Sequence, residues 1–339
     1  MKIVIRIGIV VVLLAAIAAG LGYYSVYWPN VRVKDDGLIY IREVDSFDTV
    51  LAALQNKGYI ENAYTLRKVA ELKKYPQNIK SGCYQIKDGS NNNDLVNQLR
   101  SGTQYAVHFT FNNIRTMEQF AKIVSEQLDM DSLEILKYTR DTELIEKMGF
   151  TGDNFIGMFI PNTYQVYWNT DVDDFMERMH DEYRKFWNEP RREKAEKAGL
   201  SPMDVMILAS IIEEETVRPE EYPVIAGVYI NRLQRDIPLS ACPTIKFALN
   251  DFSLKRILNE HTQVESPYNT YKYKGLPPGP VRMPSINVIE AVLNYQKHDY
   301  LYFCAKSDFS GGHNFSRTLQ QHNAYARQYH EALNKRRIF

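Results

Sequence analysis

The side chains best placed to do chemistry lie in Met206-Ile-Leu-Ala-Ser-Ile-Ile-Glu-Glu-Glu-Thr216, where carboxylates follow an apolar run. Ser201, Pro202 and Asp204 read as a helix start: a capping hydroxyl, a proline in the first turn and an acid at the positive helix end. At about 100° per residue, Leu208, Ile211 and Ile212 fall on one stripe. Glu215 then projects between Ile211 and Ile212, while Glu213 and Glu214 point to the flanks. A carboxyl group set in an apolar wall has its charged form disfavoured, so its pKa rises toward the range of a general acid. The alternative is a helix that frays at Thr216 and leaves all three glutamates solvated.

Other familiar sites are missing. The sequence has no P-loop, dinucleotide glycine fingerprint, HExxH or GxSxG elbow, and its scattered histidines form no close helical pair, which argues against a metal site and gives no sign of a cofactor. Cys83, Cys242 and Cys304 contain no CxxC pair and read as small buried hydrophobes, with one disulfide at most. Two carboxylates flanking one bond cannot be Glu213 and Glu215, because residues two apart on a helix face different ways. A single acid that protonates a leaving oxygen and then takes a proton from a nucleophile of the same molecule fits better, and consumes no water.

The elements that must carry this helix are legible in part. With 339 residues the chain can fill a substantial core and two domains. Its 41 basic and 41 acidic residues give a net charge of zero, which offers no electrostatic case for nucleic acid. Lys2 and Arg6 precede an apolar run over Ile7–Trp28. As a helix this run spans roughly 33 Å at about 1.5 Å per residue, enough to cross a bilayer. Positive charge before it and aromatics after it fit a single anchor over 7–28, with residues 1–6 in the cytoplasm. Ala16-Ile-Ala18 also resembles a processing site, so a cleaved signal peptide remains the competing reading, and both readings export the rest of the chain.

Strand–helix units follow: Leu38–Val44 then a helix from Ser46 to Gly58, and Cys83–Ile86 then a helix ending at Gly102. They predict a small α+β module over 38–110, with a third strand at Val107–Phe111 leading to a helix at Met117–Leu128. The stretch to Gly199 reads as helical, interrupted by Phe159-Ile-Pro-Asn-Thr-Tyr164, and the charged helix Glu182–Lys197 reads as a solvated face. After Pro219 an amphipathic helix carries Val224, Ile225, Val228, Tyr229 and Leu233. A stiff proline- and glycine-rich segment then holds Ser266-Pro-Tyr-Asn-Thr-Tyr271 and Gly275-Leu-Pro-Pro-Gly-Pro280. Tyr300–Cys304 reads as a strand leading to Gly311-Gly-His-Asn-Phe315 and a terminal helix.

Ala209–Thr216, Val228-Tyr-Ile-Asn-Arg-Leu233, Pro243-Thr244, Tyr268-Asn-Thr-Tyr271, Gly275-Leu-Pro-Pro-Gly279, Tyr300-Leu-Tyr-Phe303 and Gly311–Phe315 occur in an order that resembles the MltG/YceG-like endolytic murein transglycosylases. Phe159–Tyr164 resembles that family's aromatic-Pro-Asp-Thr segment. The resemblance implies an α+β protein: one transmembrane helix, a LysM-like module over 38–110 and a larger mixed α/β catalytic domain over 111–339 with a helical middle. It implies an inner-membrane protein whose catalytic domain faces the periplasm, and peptidoglycan glycan strands as substrate. Cleavage between N-acetylmuramic acid (MurNAc) and N-acetylglucosamine (GlcNAc), by attack of the muramic C6 hydroxyl on C1, would leave a 1,6-anhydro end and terminate elongation. Wall synthases (penicillin-binding proteins) are the implied protein partners.

The family's catalytic acid is the last of an Ile-Glu-x-Glu motif, here Glu215, in agreement with the helical-face reading. Glu213, the motif's first acid, is the second candidate. Tyr268, Asn269 and Tyr271 are candidate cleft residues, with Asn suited to a sugar acetamide and Tyr to a sugar face. A packed Asn-Thr turn with core tyrosines is their alternative, and Thr244 and His313 stand equally between contact and scaffold. Two departures stand out. Cys242-Pro-Thr replaces the Asp-Pro-Thr of many relatives, and Phe111-Asn-Asn-Ile-Arg-Thr116 stands where many have an acidic Glu-Gly segment. The rival to an enzyme is a non-catalytic, membrane-anchored glycan-binding scaffold.

Overall fold

The computed structural model describes residues 2–254 and 256–336, which form two units. The first comprises residues 1–109 with two returns of chain, 126–130 and 164–170. It opens with α1 (Lys2–Tyr27), whose apolar stretch Ile3–Tyr27 is long enough to cross a membrane and is exposed over all but its last turn. This fits a single-pass anchor. Its last turn meets the unit it precedes: Ser25 O accepts a hydrogen bond from Asn92 Nδ2 at 2.7 Å, and Val26 packs against the unit's core.

Strand β1 (Leu38–Ile41) is followed by α2 (Phe47–Asn56), α3 (Ala63–Leu72), β2 (Gly82–Gln85), α4 (Asn92–Ser101) and β3 (Val107–Thr110). β1 and β2 pair antiparallel, with Leu38 opposite Gln85 and Tyr40 opposite Cys83. Alternation sends Ile39 and Ile41 into a core shared with Val50, Leu54, Leu66, Val69, Leu95 and Leu99. Leu38 and Tyr40 are left on the opposite face. Ser46 and Asn91 cap α2 and α4 through their side chains, and Gly102 ends α4 in the left-handed conformation at φ 74°. Helix α3 is absent from the sequence reading. Asn62 caps it, and Leu66, Val69 and Ala70 form its single buried stripe.

The second unit takes most of the remaining chain: α5 (Met117–Gln127), α6 (Ser132–Tyr138), α7 (Thr142–Lys147), α8 (Val172–Phe186), α9 (Glu189–Lys197), α10 (Pro202–Glu215), α11 (Tyr222–Gln234), α12 (Cys242–Ala248) and α13 (Ile286–Leu293). Strand β4 (Thr163–Val166), in the chain's return to the first unit, pairs with β3 there; in the second unit the hairpin β5 (Tyr302–Ala305) and β6 (His313–Ser316) precedes α14 (Leu319–Lys335). The expected charged helix over 182–197 is instead two helices. Asn188 caps α9 with Pro190 in its first turn, and Trp187 between them is only 1% exposed, so the face is not simply solvated.

Helix α10 is the axis of this unit. Ser201 and Asp204 exchange hydrogen bonds of 3.1 and 2.8 Å in a reciprocal cap. Every residue from Val205 to Ile212 is buried, and α11, α12 and α13 pack around it. At about 1.5–3 kcal/mol for each large aliphatic side chain removed from water, that burial fixes the helix firmly. Its C-terminal turn is thereby held in one place.

Candidate active site

Three consecutive glutamates leave the end of α10, and their partners differ. Glu214 is neutralised by two arginines: Arg115 approaches both its oxygens, at 2.8 and 3.1 Å, and Arg282 Nη1 lies 2.6 Å from Oε1. Arg282 is 7% exposed and also bonds Asn113, so this cluster pins the helix end to distant segments. Glu213 Oε2 accepts the backbone N–H of Ser285 at 2.8 Å, at the start of α13, where a negative charge meets the positive end of a helix. Glu214 is thus engaged on both oxygens and Glu213 on one, which also lies 3.8 Å from Arg282 Nε.

Glu215 is different. It is half-buried, and its one hydrogen bond among the described residues comes from Tyr229 Oη to Oε1, at 2.7 Å. Burial raises its pKa above the ordinary carboxylate value. The Tyr229 hydrogen bond and the charges of His313, Lys246 and Arg232 pull the other way, in that order, without cancelling the rise. Tyr229 on α11 is itself 1% exposed, its phenol pushed far up by burial and then by the Glu215 charge, so it remains a donor.

Two nearby acids are also engaged. Glu221 accepts from the His313 backbone N–H and bonds His313 Nδ1, each at 2.7 Å, and takes Thr216 Oγ1 at 3.2 Å. Burial works to raise Glu221, but the His313 side-chain and backbone hydrogen bonds outweigh it and hold the carboxyl below its usual range. Glu220 pairs with Arg218 on the surface at 2.6 Å. Glu213 Oε1 and Glu215 Oε2 both lack a hydrogen bond from the described residues, but Glu213 has the Arg282 guanidinium 3.8 Å from its other oxygen, whereas Glu215 is held by the Tyr229 hydroxyl.

The remaining expected contacts divide. Tyr271 is half-buried with its hydroxyl 3.3 Å from Cys242 Sγ, and both groups feel the charge of Glu215, which raises each after burial has done so. His313 is brought to the same place, held by Glu221 and edge-on to Phe303. Tyr268 is 8% exposed, its ring against Phe247 and its hydroxyl directed to Asp153 O at 3.3 Å; it lines a cavity of about 460 Å3 with Arg115, Arg140 and Phe252.

Asn269 and Thr244 are corrections to the sugar-contact reading. Asn269 is fully buried: its amide donates to Thr262 O and Val264 O at 2.9 and 2.8 Å and accepts from Tyr271 N at 3.0 Å. Thr244, also fully buried, donates to Ala241 O and pairs with Thr270 Oγ1, each at 2.8 Å. Neither has a polar atom to spare for a ligand, and both hold the 240–271 region in shape. Tyr229, Arg232 and Lys246 were missed as site residues. Tyr229 carried a signal, since a buried tyrosine on an amphipathic helix needs a partner for its hydroxyl. The three cysteines are unpaired.

A mixed helix-and-strand fold carries this order of motifs around one shielded acid. The chain belongs to the YceG-like family, whose model matches residues 39–328. It is 29% identical over 272 residues to the endolytic murein transglycosylase of Bacillus subtilis, covering 76% of this chain and 74% of that protein. It is 27% identical over 332 residues to the endolytic murein transglycosylase of Streptococcus pneumoniae, covering 87% of this chain but 60% of the streptococcal protein. The crystal structure of the yceG-like protein lmo1499 from Listeria monocytogenes superposes with a TM-score of 0.57 at 26% identity, covering 85% of this chain and 97% of that one.

Proposed function

We propose that this protein is an endolytic murein transglycosylase, anchored by α1 with both units outside the cytoplasm, that cuts nascent peptidoglycan strands between MurNAc and GlcNAc. The observation that carries the reading is Glu215: one carboxyl, raised in pKa, with Oε2 free and every neighbouring acid already engaged. The names of the bacillary and streptococcal relatives agree with it.

In this mechanism the protonated Glu215 gives its proton to the glycosidic oxygen as the C1–O bond breaks and GlcNAc leaves with a new hydroxyl. The resulting carboxylate takes the proton of the muramic C6 hydroxyl, whose oxygen bonds to C1. The proton count closes on Glu215, no water enters, and a 1,6-anhydro end remains. Tyr229 holds Oε1 and steadies the carboxylate between the two transfers. Lys246 and Arg232, and His313 when protonated, stabilise the ionised form once the proton has gone. Hydrolysis by paired carboxylates lacks its second partner here, because Glu213, Glu214 and Glu221 are all bonded within the protein. The β1–α2–α3–β2 segment is read as a LysM-like module that holds the strand, and the cut as the end of elongation by neighbouring wall synthases.

The test incubates the full chain, and its Glu215→Gln variant, with uncrosslinked glycan strands and weighs the products. Muramic ends lacking one water, absent with the variant, support the reading. Reducing muramic ends would make the protein a hydrolase. Intact strands from a folded, glycan-binding wild type would make it a scaffold.

A further inference from the structure

The cavity beside Tyr268 lies wholly within the second unit and apart from the acid: Glu215, Tyr229, Tyr271 and His313 take no part in its walls. Its volume of about 460 Å3 falls inside the roughly 300–1,000 Å3 usual for ligand sites. The floor is aromatic. Phe247 on α12 meets the Tyr268 ring at 4.5 Å and the Phe252 ring at 6.4 Å, tilted by 40° and 71°, so the rings offer no single plane. A Cβ at Gly279 would collide with Asp153 O, so glycine there lets the 152–156 segment close against Tyr268.

Charges of both signs stand around this floor. Arg115 lies over the Phe252 face at 5.4 Å and is spent on Glu214. Arg140 meets Glu118 at 3.5 Å, between side chains that are 70% and 62% exposed, a contact worth little in water and easily exchanged. The Asp153 carboxylate has no ion pair or hydrogen bond among the described residues. A guanidinium and a carboxylate are thus available above apolar rings, which suits a short peptide that carries both a carboxylate and a primary amine. The N-acetylated sugars of a nascent strand are neutral, and the lactyl carboxyl of muramic acid is tied in an amide to its stem peptide. The ionised groups of such a strand therefore belong to the peptide. Two links run from the cavity to the acid: Arg115 holds Glu214, next to Glu215, and Phe247 follows Lys246, whose charge acts on Glu215. We propose that this cavity binds the stem peptide of the strand being cut, with Arg140 taking a peptide carboxylate and Asp153 the side-chain amine of its diamino acid. The choice of this peptide rests on the glycan-cutting reading above.

The experiment titrates the full chain carrying Glu215→Gln with an N-terminally acetylated stem pentapeptide, whose third residue is meso-diaminopimelate and holds the sole amine. Hydrogen exchange should slow in the 247–252 segment at saturation. Arg140→Ala and Asp153→Asn, both on exposed side chains, should each weaken calorimetric affinity about fivefold. Acetylating the diaminopimelate amine should weaken wild-type binding to the same extent and cost Asp153→Asn nothing further. No binding up to about 10 mM peptide would overturn the proposal, as would unchanged affinity in both variants or an acetylation penalty that persists in full in Asp153→Asn. Cleavage is followed separately in chains that keep Glu215, on strands with and without peptides. Peptide binding that depends on Arg140 in a chain that cuts neither would sink the enzymatic reading and leave this cavity standing. Equal kcat/KM on both kinds of strand, with no peptide bound, would do the reverse.

Discussion

The loop around Asn269 and the end of α10 both set polar groups into an apolar wall of the second unit, and they dispose of them differently. In the loop the side chains of Asn269 and Thr244 find partners within 26 residues: Asn269 with Thr262, Val264 and Tyr271, and Thr244 with Ala241 and Thr270. At the helix end Glu213 and Glu214 are satisfied by segments 68 to 99 residues away, and Glu215 is left with one bond on one oxygen. Saturated polar groups build rigidity. An unsaturated one, held in place by that rigidity, is where a proton can be given and taken back.

The largest expected effect separates the two directly. Glu215→Gln should cut glycan cleavage by about a thousandfold, within the usual range for a general acid–base group, while glycan affinity is retained. A loss of less than tenfold, read by mass spectrometry of products, would move the chemistry elsewhere. Asn269→Ala should do the opposite. It strands the Thr262 and Val264 carbonyls and costs about 3 kcal/mol in denaturant unfolding, with turnover per folded molecule nearly unchanged. Normal stability with lost turnover would return Asn269 to the substrate.

Glu221→Ala should cost a similar amount, about 3 kcal/mol, by leaving His313 unpaired in a site where both side chains are nearly buried. Because the Glu221 pKa is held below its usual range, its contribution is present above the ordinary carboxylate range and disappears as pH falls through the folded-state value. Thermal midpoints of wild type and variant should therefore converge in acid. Tyr229→Phe is subtler, about a tenfold slower cut. Removing a donor to the ionised form raises the Glu215 pKa further, so the alkaline limb of the pH–rate profile should move to higher pH. A limb that stays put or moves down would break the Tyr229–Glu215 coupling. Glu213→Gln, which removes a charge from the start of α13 and from the Arg282 guanidinium 3.8 Å away, should cost about 1 kcal/mol and leave cleavage unchanged.

What could be read in advance followed from local rules. The Ser201 cap and the apolar run that α10 buries are both legible within a few turns, although the helix is buried all round over Val205–Ile212 and not along one stripe. Helix α3 was lost because its buried stripe is only Leu66, Val69 and Ala70 among polar residues, and the break at Trp187 because surrounding charges hid one buried ring. Whether a polar group is saturated depends on partners far along the chain. Arg115 and Arg282 could not be assigned to Glu214 from sequence, nor could Asn269 be recognised as fully occupied. Side-chain chemistry was legible; its availability was not.

Helix α1 does not end in a tether. Its final turn is clasped by Asn92, and Val26 is already part of the first unit's packing, so the chain passes from apolar helix to folded unit with no slack between. A helix of this kind crossing a bilayer works as a post with a fixed stop, not a leash. In a bilayer it would set one fixed height for the first unit above the lipid.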